Sequence, residues 1–429
     1  MLEFLTSDVS VPAGAAIAAG VLLVVLVVFI WSIRSHRPPD LDIDCDEPLA
    51  ELSPSLSGLT QGTVYVGNRV ELFENGRFFD VFFEEIAKAT CTIHFETFLW
   101  SEGVLERRLV DALIERREAG VEVRVLVDAR GAKNMSKDAA HRLSVAGVKL
   151  VRHHGARFRD IGVFNDRDHR KLAVIDGRIG FVCGHCIVDT WLGDAQDREH
   201  VRDLGVRLTG PAVHSLQAAF AENWVEDTGE LFVGRDVFPE LKREGDANVH
   251  IASLKPEGSP PAVKVLYHLA VSVARKRIRI QNPYFLPDDE ALEAFAQAVE
   301  RGVDVRVMVP SSTASDMPIV QHAAHRNFEK LLENGVRIFE YEKCLLHQKT
   351  LTADGVWSAI GSSNFDDRSL ETNDEIMLGV WDEAFAAQLE DVFERDVKHC
   401  KELKLATFRA RGLWHRALDN VLYAFNEVL

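Results

Sequence analysis

Two short stretches, HRKLAVIDG from His169 to Gly177 and HQKTLTADG from His347 to Gly355, repeat the pattern His-x-Lys-x-x-x-x-Asp-Gly. Residues two apart in a β-strand face the same way, so the histidine and the lysine of each copy are expected to project together. The Asp-Gly pair that ends each copy is typical of a hairpin turn. The pattern therefore predicts two hairpins, each with a histidine and a lysine on one face and an aspartate that holds the turn.

The sequence around the two copies is repeated as well. The segment IHFETFLW at 93–100 parallels IQNPYFLP at 280–287, and in both halves an amphipathic helix, a glycine and an alternating strand follow. Strands that alternate with helices predict α/β layers with a largely buried sheet in each half. Two related halves usually place a shared site on their interface. We therefore expect one site built from both hairpins.

The composition is that of a globular protein, with 47% hydrophobic and 27% charged residues in a chain of 429. The formal net charge of −17 would repel nucleic acid and anionic lipid headgroups alike, so an anionic substrate must be met by a local cluster of basic side chains. The six cysteines are sparse and irregularly spaced, which argues against a disulfide framework. No cofactor and no metal are expected for the chemistry, and no nucleic acid is expected as a partner.

The N-terminal region contains VPAGAAIAAGVLLVVLVVFIWSI at 11–33, a run without any charged residue. As a helix it is long enough to span a bilayer of ~30 Å. The ten residues before it contain no Lys or Arg, which a secretory signal peptide would need, so an uncleaved anchor is expected. Arg34, His36 and Arg37 follow directly, and the positive-inside rule then places the rest of the chain in the cytoplasm.

The chain is predicted to divide into seven segments, with the boundary between the halves near KPEGSPP at 255–261. They are a short extracytoplasmic tail at 1–10, a transmembrane helix at 11–33, an acidic linker at 34–58, a first repeated domain at 59–228, an inter-domain linker at 229–262, a second repeated domain at 263–400 and a C-terminal amphipathic helix at 401–429. That last helix is expected to lie on the membrane, and docking on the protein's own core is the alternative.

The stretch FVCGHCIVD at 181–189 raises a separate question, because its Cys183-Gly-His-Cys186 is spaced like a redox disulfide centre. A redox thiol is activated at a helix N-terminus, whereas this tetrad ends a predicted strand. It also occupies the place that GSSN at 361–364 holds in the second half. We interpret it as a variant of a segment that contacts the substrate, with a redox role as the less favoured alternative.

The register of the two hairpins selects the residues beside the histidines. A two-residue turn would place His169 opposite Gly184 and His347 opposite Ser362, and small residues there would leave room for a bulky group. The positions two residues further on would face the same side. The residues expected to contact a bound anion are Gly184, Cys186, Ser362 and Asn364.

These features together resemble the phospholipase D superfamily, whose members carry two His-x-Lys-x4-Asp motifs. Within it, PYFLPDDEALEAFAQAVERGVDVRVMVP at 283–310 and GSSNFDDRSLETNDE at 361–375 look like bacterial cardiolipin synthases. The resemblance runs from about residue 60 to 400. It implies two phospholipase D-like α-β-α sandwich domains with the active site at their interface. The catalytic motif residues that it implies are His169, Lys171, Asp176, His347, Lys349 and Asp354.

Two histidines and two lysines can supply what the cleavage of a phosphodiester needs, which is a nucleophile, an acid for the leaving alkoxide and neutralisation of charge. The resemblance implies that His169 is the nucleophile and His347 the general acid and later the base. The residues themselves are nearly symmetric and do not order the two. Lys171, Lys349 and Asn364 would hold the non-bridging oxygens.

Each histidine also needs a partner that fixes its tautomer. Asp203 and Glu375 each open the next strand of the repeat, so Asp203 is assigned to His169 and Glu375 to His347. The alternative for both is an ordinary surface or salt-bridged carboxylate. The neighbouring pair His153-His154 could suggest a metal, but a histidine pair at the end of a strand is more often structural.

The resemblance implies a phosphatidyltransferase that joins two phosphatidylglycerols into cardiolipin and glycerol. An alternative keeps the site but uses water or another alcohol on other phospholipids. A nuclease of the same superfamily is disfavoured by the acidic charge balance and the anchor, and a non-catalytic scaffold by the two intact His-Lys pairs. The expected partners are phospholipids and the bilayer of the bacterial inner membrane, and oligomerisation is left open.

Overall fold

The computed structural model describes residues 45–154, 166–255 and 261–412, the run 20–25, and single positions at 14, 18, 41, 43, 419 and 422. The chain divides into two compact units, Met1–Asp42 and Ile43–Leu429. In the first unit the described positions between 14 and 25 are helical. Among all described residues, no helix has the length and apolar character needed to cross a membrane. The predicted tail at 1–10 and most of the predicted span at 11–33 lie outside those residues.

The second unit alternates strands and helices along its length. Its strands are β1 Val64–Glu74, β2 Thr92–Thr97, β3 Glu122–Asp128, β4 Lys149–His153, β5 Leu172–Ile175, β6 Ile179–Cys183, β7 Val201–Arg202, β8 Leu204–Thr209, β9 Ala247–Leu254, β10 Arg277–Gln281, β11 Asp304–Pro310, β12 Arg337–Tyr341, β13 Leu345–Leu346, β14 Thr350–Ala353, β15 Trp357–Gly361, β16 Glu375–Trp381 and β17 Cys400–Glu402. Its α-helices are α1 Ser53–Thr60, α2 Arg77–Lys88, α3 Val104–Glu118, α4 Lys137–Val145, α5 Val213–Thr228, α6 Ala262–Val273, α7 Asp289–Glu300, α8 Pro318–Glu333, α9 Glu383–Val397 and α10 Leu405–Arg409.

Within the described residues, fifteen of these strands form one mixed sheet whose order repeats outward from its centre. From the central pair of β1 and β9, one side runs β8, β6, β5, β2, β3, β4 and the other runs β16, β15, β14, β10, β11, β12, β17. Every strand of the first side has a counterpart at the same place on the second side, and β17 is added at the edge. The repeated sequence thus builds a repeated half-sheet, and the predicted α/β fold is confirmed.

Alternation along the strands buries both faces of the sheet. In β5, Ala173 and Ile175 pack in the core cluster that contains α2 and α3, whereas Leu172 and Val174 pack in the cluster that contains α5. Helices therefore cover the sheet on both sides, as expected for strands that are apolar at nearly every position. This layering leaves the strand ends and the loops beyond them as the place for polar side chains.

Two predicted linkers contain more structure than the sequence suggested. The acidic linker at 34–58 includes a 3-10 turn and α1, which bury leucine side chains. The inter-domain linker at 229–262 includes β9, which pairs with β1 and β16 at the centre of the sheet. In both linkers a few apolar side chains bury enough surface to order a stretch that is polar overall. The sequence predicts one amphipathic helix over 401–429, whereas the described part of that segment begins with the end of β17 and the short helix α10.

The two Asp-Gly turns connect each hairpin to the strand beside it. The carboxylate of Asp176 accepts hydrogen bonds from the successive backbone N–H groups at 90–92 and from the Thr90 hydroxyl, at 2.7 to 2.9 Å. Asp354 accepts in the same way from the N–H groups at 275–277. Both aspartates adopt a positive φ, 51° and 56°, which Asp tolerates better than most residues. The structure therefore places both carboxylates at the turns, where they bind backbone ahead of β2 and β10.

We expect Asp176→Ala to lower the midpoint of thermal unfolding by about 1–4 °C, because at least three backbone donors lose their acceptor, a loss of about 1–2 kcal/mol in a unit of this size. Asp289→Ala removes an exposed carboxylate that pairs only with Lys330 among the described residues, and should leave the midpoint unchanged. An Asp176→Ala protein that unfolds like the wild type but has lost turnover would contradict the structural role.

Candidate active site

The two histidine–lysine pairs adopt the same local structure on opposite sides of the centre of the sheet. His169 and Lys171 lie just before β5, and His347 and Lys349 lie just before β14. Each lysine turns back so that its Nζ donates to the carbonyl of its own histidine, at 2.7 Å in the first half and 2.8 Å in the second. Lys349 Nζ also lies 3.0 Å from His347 Nε2. The lysines are buried, and the histidines retain a little exposure, 9% and 7%, so they form the reachable part of the site.

Each histidine is bound by a carboxylate from the other half of the chain. His169 Nδ1 donates to Glu375 Oε1, and His347 Nδ1 donates to Asp203 Oδ2, both at 2.8 Å. Both carboxylates are completely buried. The predicted pairing within each half is therefore wrong, and the two residues assigned to orient the histidines exchange partners. The site exists only where the two halves meet.

Backbone pairing explains why the partners are exchanged. The N–H of His169 donates to the carbonyl of Asp374 at 3.0 Å, and the N–H of His347 donates to the carbonyl of Arg202 at 2.8 Å. In addition β13 and β7 pair in parallel, and Asp168 forms an isolated parallel bridge with Asp374. In both cases, the residue that precedes the histidine in the sequence pairs with the residue that precedes the carboxylate of the other half.

Each carboxylate also accepts from another side chain, and this side-chain donor differs between the halves. The Ser362 hydroxyl donates to Glu375. Asp203 instead accepts from Trp191 Nε1 at 2.8 Å, and the Trp191 ring packs edge-on against His347, with centroids 5.3 Å apart. Sequence reasoning missed Trp191, which lies in a loop outside both motifs and has no periodic signal.

Gly184 stands at the position that Ser362 holds in the second half. A Cβ atom on Gly184 would lie only 2.4 Å from Asp203 Oδ1. The lack of a side chain was expected to make room for a substrate, but what it accommodates is the carboxylate of Asp203. The first half therefore combines a glycine with a tryptophan where the second half uses a serine.

The two-residue turn assumed for both hairpins is wrong by one residue. The ladder pairs Ile175 with Ile179 and Ala353 with Trp357, so three residues lie between the paired positions. The reason is that Asp176 and Gly177 both have a positive φ and form the turn. Arg178 follows them outside the ladder, and the pairing resumes at Ile179. A shift by one residue changes the partner of each position. Opposite the two lysines lie Cys183, whose N–H donates to the Lys171 carbonyl at 3.2 Å, and Gly361, whose N–H donates to the Lys349 carbonyl at 3.3 Å.

Cys183 and Cys186 are buried and form no disulfide with each other. Their Sγ atoms lie 3.7 and 3.9 Å from the carbonyl oxygens of His185 and Gly184. Burial raises the pKa of both thiols, whereas a redox centre needs a lowered pKa. Both cysteines pack in the same core cluster as Ile187, so they behave as small apolar side chains. In the second half, Asn364 is also buried, and its side-chain oxygen has no hydrogen-bond partner among the described residues.

The surroundings give the two histidines different protonation behaviour. Burial lowers the pKa of His169 well below its ordinary value, and the neighbouring lysines lower it further. Burial and Lys349 also lower the pKa of His347, but Asp203 opposes the shift. Burial alone would raise the pKa of Asp203, yet His347 outweighs it and the pKa lies below the ordinary range. For Glu375, burial raises the pKa to about 7. The pKa of both imidazoles is therefore lowered, but at His347 the carboxylate of Asp203 offsets part of the shift and makes protonation less unfavourable than at His169.

Comparison with known proteins shows which family shares these features. The family described as cardiolipin synthase, PLD-like domain, matches residues 82–224 and 270–397. A cardiolipin synthase of Staphylococcus aureus is 32% identical over 366 residues, 84% of this chain and 74% of the relative. Cardiolipin synthase 2 of Bacillus anthracis is 33% identical over 400 residues, 92% of this chain and 76% of the relative. The crystal structure of phosphatidylserine synthase from Haemophilus influenzae has a TM-score of 0.68 over 87% of this chain and 97% of that one, and at 15% identity this shows a similar fold.

We expect Gly184→Ala to lower kcat by roughly 100-fold with little change in KM, because displacing Asp203 misplaces His347. The matched control is Gly58→Ala in α1, where an added Cβ meets nothing within 4 Å. A raised KM at unchanged kcat would mean instead that Gly184 makes room for the substrate.

The rate should also fall as the pH rises above about 8, since burial lowers the pKa of Lys349 to about 8 although Asp203 opposes the shift. Lys349 is charged below that pH and neutral above it, so a fall in rate near pH 8 reports its loss of charge, whereas loss of the His347 proton would give a fall at lower pH. Lys349→Arg keeps a cation at all accessible pH values and should move the alkaline limb to higher pH, even at a lower maximal rate. An alkaline limb that stays in place in this variant would assign it to another group.

Proposed function

Because this chain belongs to the family of cardiolipin synthases with phospholipase D-like domains, we propose that it transfers a phosphatidyl group between two phosphatidylglycerol molecules, giving cardiolipin and glycerol. The observation that carries the proposal is the pair of buried His–Lys motifs, each completed by a carboxylate from the other half. Two imidazoles and two ammonium groups in one buried site suit double displacement at a phosphodiester.

In the first step, His169 Nε2 attacks the phosphorus of phosphatidylglycerol, and the bond from phosphorus to the headgroup glycerol oxygen breaks. A phosphatidyl-histidine forms, and His347 gives its proton to the leaving glycerol. The lowered pKa of His169 supports the role of nucleophile, since only the neutral imidazole has a free lone pair. Asp203 supports the role of acid for His347, because a buried carboxylate stabilises the imidazolium.

In the second step, His347 is neutral and takes the proton from a headgroup hydroxyl of the second phosphatidylglycerol. That oxygen attacks phosphorus, the bond to His169 breaks, and cardiolipin leaves. Lys171 and Lys349 would neutralise the non-bridging oxygens through both steps. Asn364 would donate a further hydrogen bond from the second half, while Cys186 at the matching place packs in the core and supplies no comparable donor.

The wider organisation belongs to the same proposal. Two phospholipase D-like domains, at about 59–228 and 263–400, would share the site on their interface. The apolar segment at 11–33 would anchor the chain in the bacterial inner membrane with the catalytic domains in the cytoplasm, where the lipid substrates reach the site from the bilayer. Protease added to intact spheroplasts should digest a tag at the N-terminus and should cleave a C-terminal tag only after lysis, which tests this orientation in one experiment.

The purified full chain, reconstituted with phosphatidylglycerol as the only phospholipid, should form cardiolipin and glycerol in equal amounts, measured by mass spectrometry. His169→Ala and His347→Ala should each reduce the rate by at least about 10³-fold while leaving the thermal midpoint near that of the wild type. A rapid quench in denaturant at neutral pH with acyl-labelled lipid should trap a phosphoramidate on His169, because the P–N bond hydrolyses in acid.

Each deviation has a distinct meaning. Phosphatidic acid without cardiolipin would make water the acceptor and the chain a hydrolase. A phosphoramidate on His347 would reverse the two roles. Cleavage of DNA at a rate above that for lipid would support the nuclease alternative. If the His169→Ala and His347→Ala variants both remained active, the mechanism would be refuted.

A further inference from the structure

The strand β4 ends in two consecutive histidines whose rings lie on the same side. Neighbouring residues of a strand normally point to opposite faces. His154 adopts a positive φ of 52°, which breaks the alternation, and its ring centroid lies 4.0 Å from that of His153. Two imidazoles held this close offer nitrogen ligands to one point.

A carboxylate meets the two rings at that point. Asp374 Oδ2 lies 3.4 Å from His153 Nε2 and 3.1 Å from His154 Nε2, and the ligand atoms of the three residues all lie within 4.8 Å of one another. A tetrahedral zinc site has metal–ligand distances of about 2.0–2.2 Å and hence ligand–ligand distances of about 3.3–3.6 Å. The two distances from Asp374 Oδ2 to the histidine nitrogens are close to that range, so a small adjustment would bring the three groups around one ion.

The surroundings of the three residues are also those of a metal site. His153 Nδ1 lies 2.6 Å from Asp227 Oδ2, the carboxylate–histidine contact that aims the other ring nitrogen at a metal. Asn223 Nδ2 donates to Asp374 Oδ2 at 3.4 Å. Among the described residues, Asp374 Oδ1 has no hydrogen-bond partner, and His153 Nε2 has only the 3.4 Å ion pair with Asp374 Oδ2, although both side chains are only 1% exposed. Buried polar atoms left without partners are uncommon and point to a missing ligand.

We propose that His153, His154 and Asp374 bind one divalent transition-metal ion of the zinc class, with water completing the coordination. Imidazole nitrogen with one carboxylate is a donor set suited to such an ion. The ion would take no part in the transfer chemistry. It would hold Asp374, whose carbonyl accepts from the N–H of His169 and whose neighbour is Glu375, and so support the first catalytic histidine from behind.

A second His-His-Asp group in the chain provides an internal comparison. His322, His325 and Asp419 also converge within 4.8 Å. There, however, Arg411 Nη1 lies 2.9 Å from Asp419 Oδ2 and 3.2 Å from His325 Nδ1. The guanidinium already supplies the positive charge at that place, so this group should bind no metal.

The test uses the untagged full chain in detergent, stripped with a chelator that is then removed, and titrated with Zn²⁺ or Co²⁺ alone. We expect one ion per chain by elemental analysis, a Co²⁺ absorption spectrum typical of four-coordinate nitrogen and oxygen ligands, and a higher thermal midpoint with Zn²⁺. His154→Gln should weaken binding at least about 100-fold, since loss of even an outer-shell partner costs 10–100-fold. His322→Gln should bind like the wild type.

His154→Cys provides a second readout, because a thiolate is also a zinc ligand. It should retain the ion and add sulfur-to-cobalt charge-transfer absorption, which a purely structural role for His154 would not produce. The proposal is overturned if the wild type binds neither ion, if His154→Gln binds as tightly as the wild type, or if only His322→Gln loses binding. The first outcome would mean that His153 is a protonated imidazole held between Asp227 and Asp374. None of these readouts depends on turnover, so they stand apart from the proposed transferase activity.

Discussion

The exchange of carboxylates between the two halves is the constraint on which the site depends. His169 is oriented by Glu375 and His347 by Asp203, and neither hydrogen bond can form within one half alone. Removing either carboxylate would leave a buried imidazole N–H without a partner, which costs about 1–3 kcal/mol and frees the ring to rotate. The shared sheet, the pairing of β13 with β7 and the bridge between Asp168 and Asp374 all hold the halves in the one arrangement that satisfies both contacts.

The sequence was sufficient to predict the elements that follow from local periodicity. The repeated strands and helices, the two hairpins and the four motif side chains follow from periodicities of two and 3.6 residues and from the Asp-Gly turns. The exchange of partners could not be predicted in this way, because it depends on how the halves dock, and sequence separation carries no information about that. The hairpin register failed for a smaller reason, the single residue Arg178 left over after the turn. Trp191 was missed because a loop residue has no periodicity.

The side chains that differ between the first half and the second half can be explained by the carboxylate that each half supplies. Where the second half uses the Ser362 hydroxyl to hold Glu375, the first half has Gly184, and any side chain there would collide with Asp203. Trp191 supplies the missing donor from another loop and also packs against His347. With that support in place, Cys183 and Cys186 serve as apolar core residues. The two halves thus reach one geometry with different side chains.

The charge of the site is balanced locally, and this is how a chain with a net charge of −17 can accept an anion. Lys171 and Lys349 are buried ammonium groups that would be costly without nearby carboxylates. Asp203 is ionised and compensates one positive charge, while Glu375 has a pKa of about 7 and compensates the other only in part. The two lysines are thus compensated only in part, which leaves a local positive charge suited to an anion.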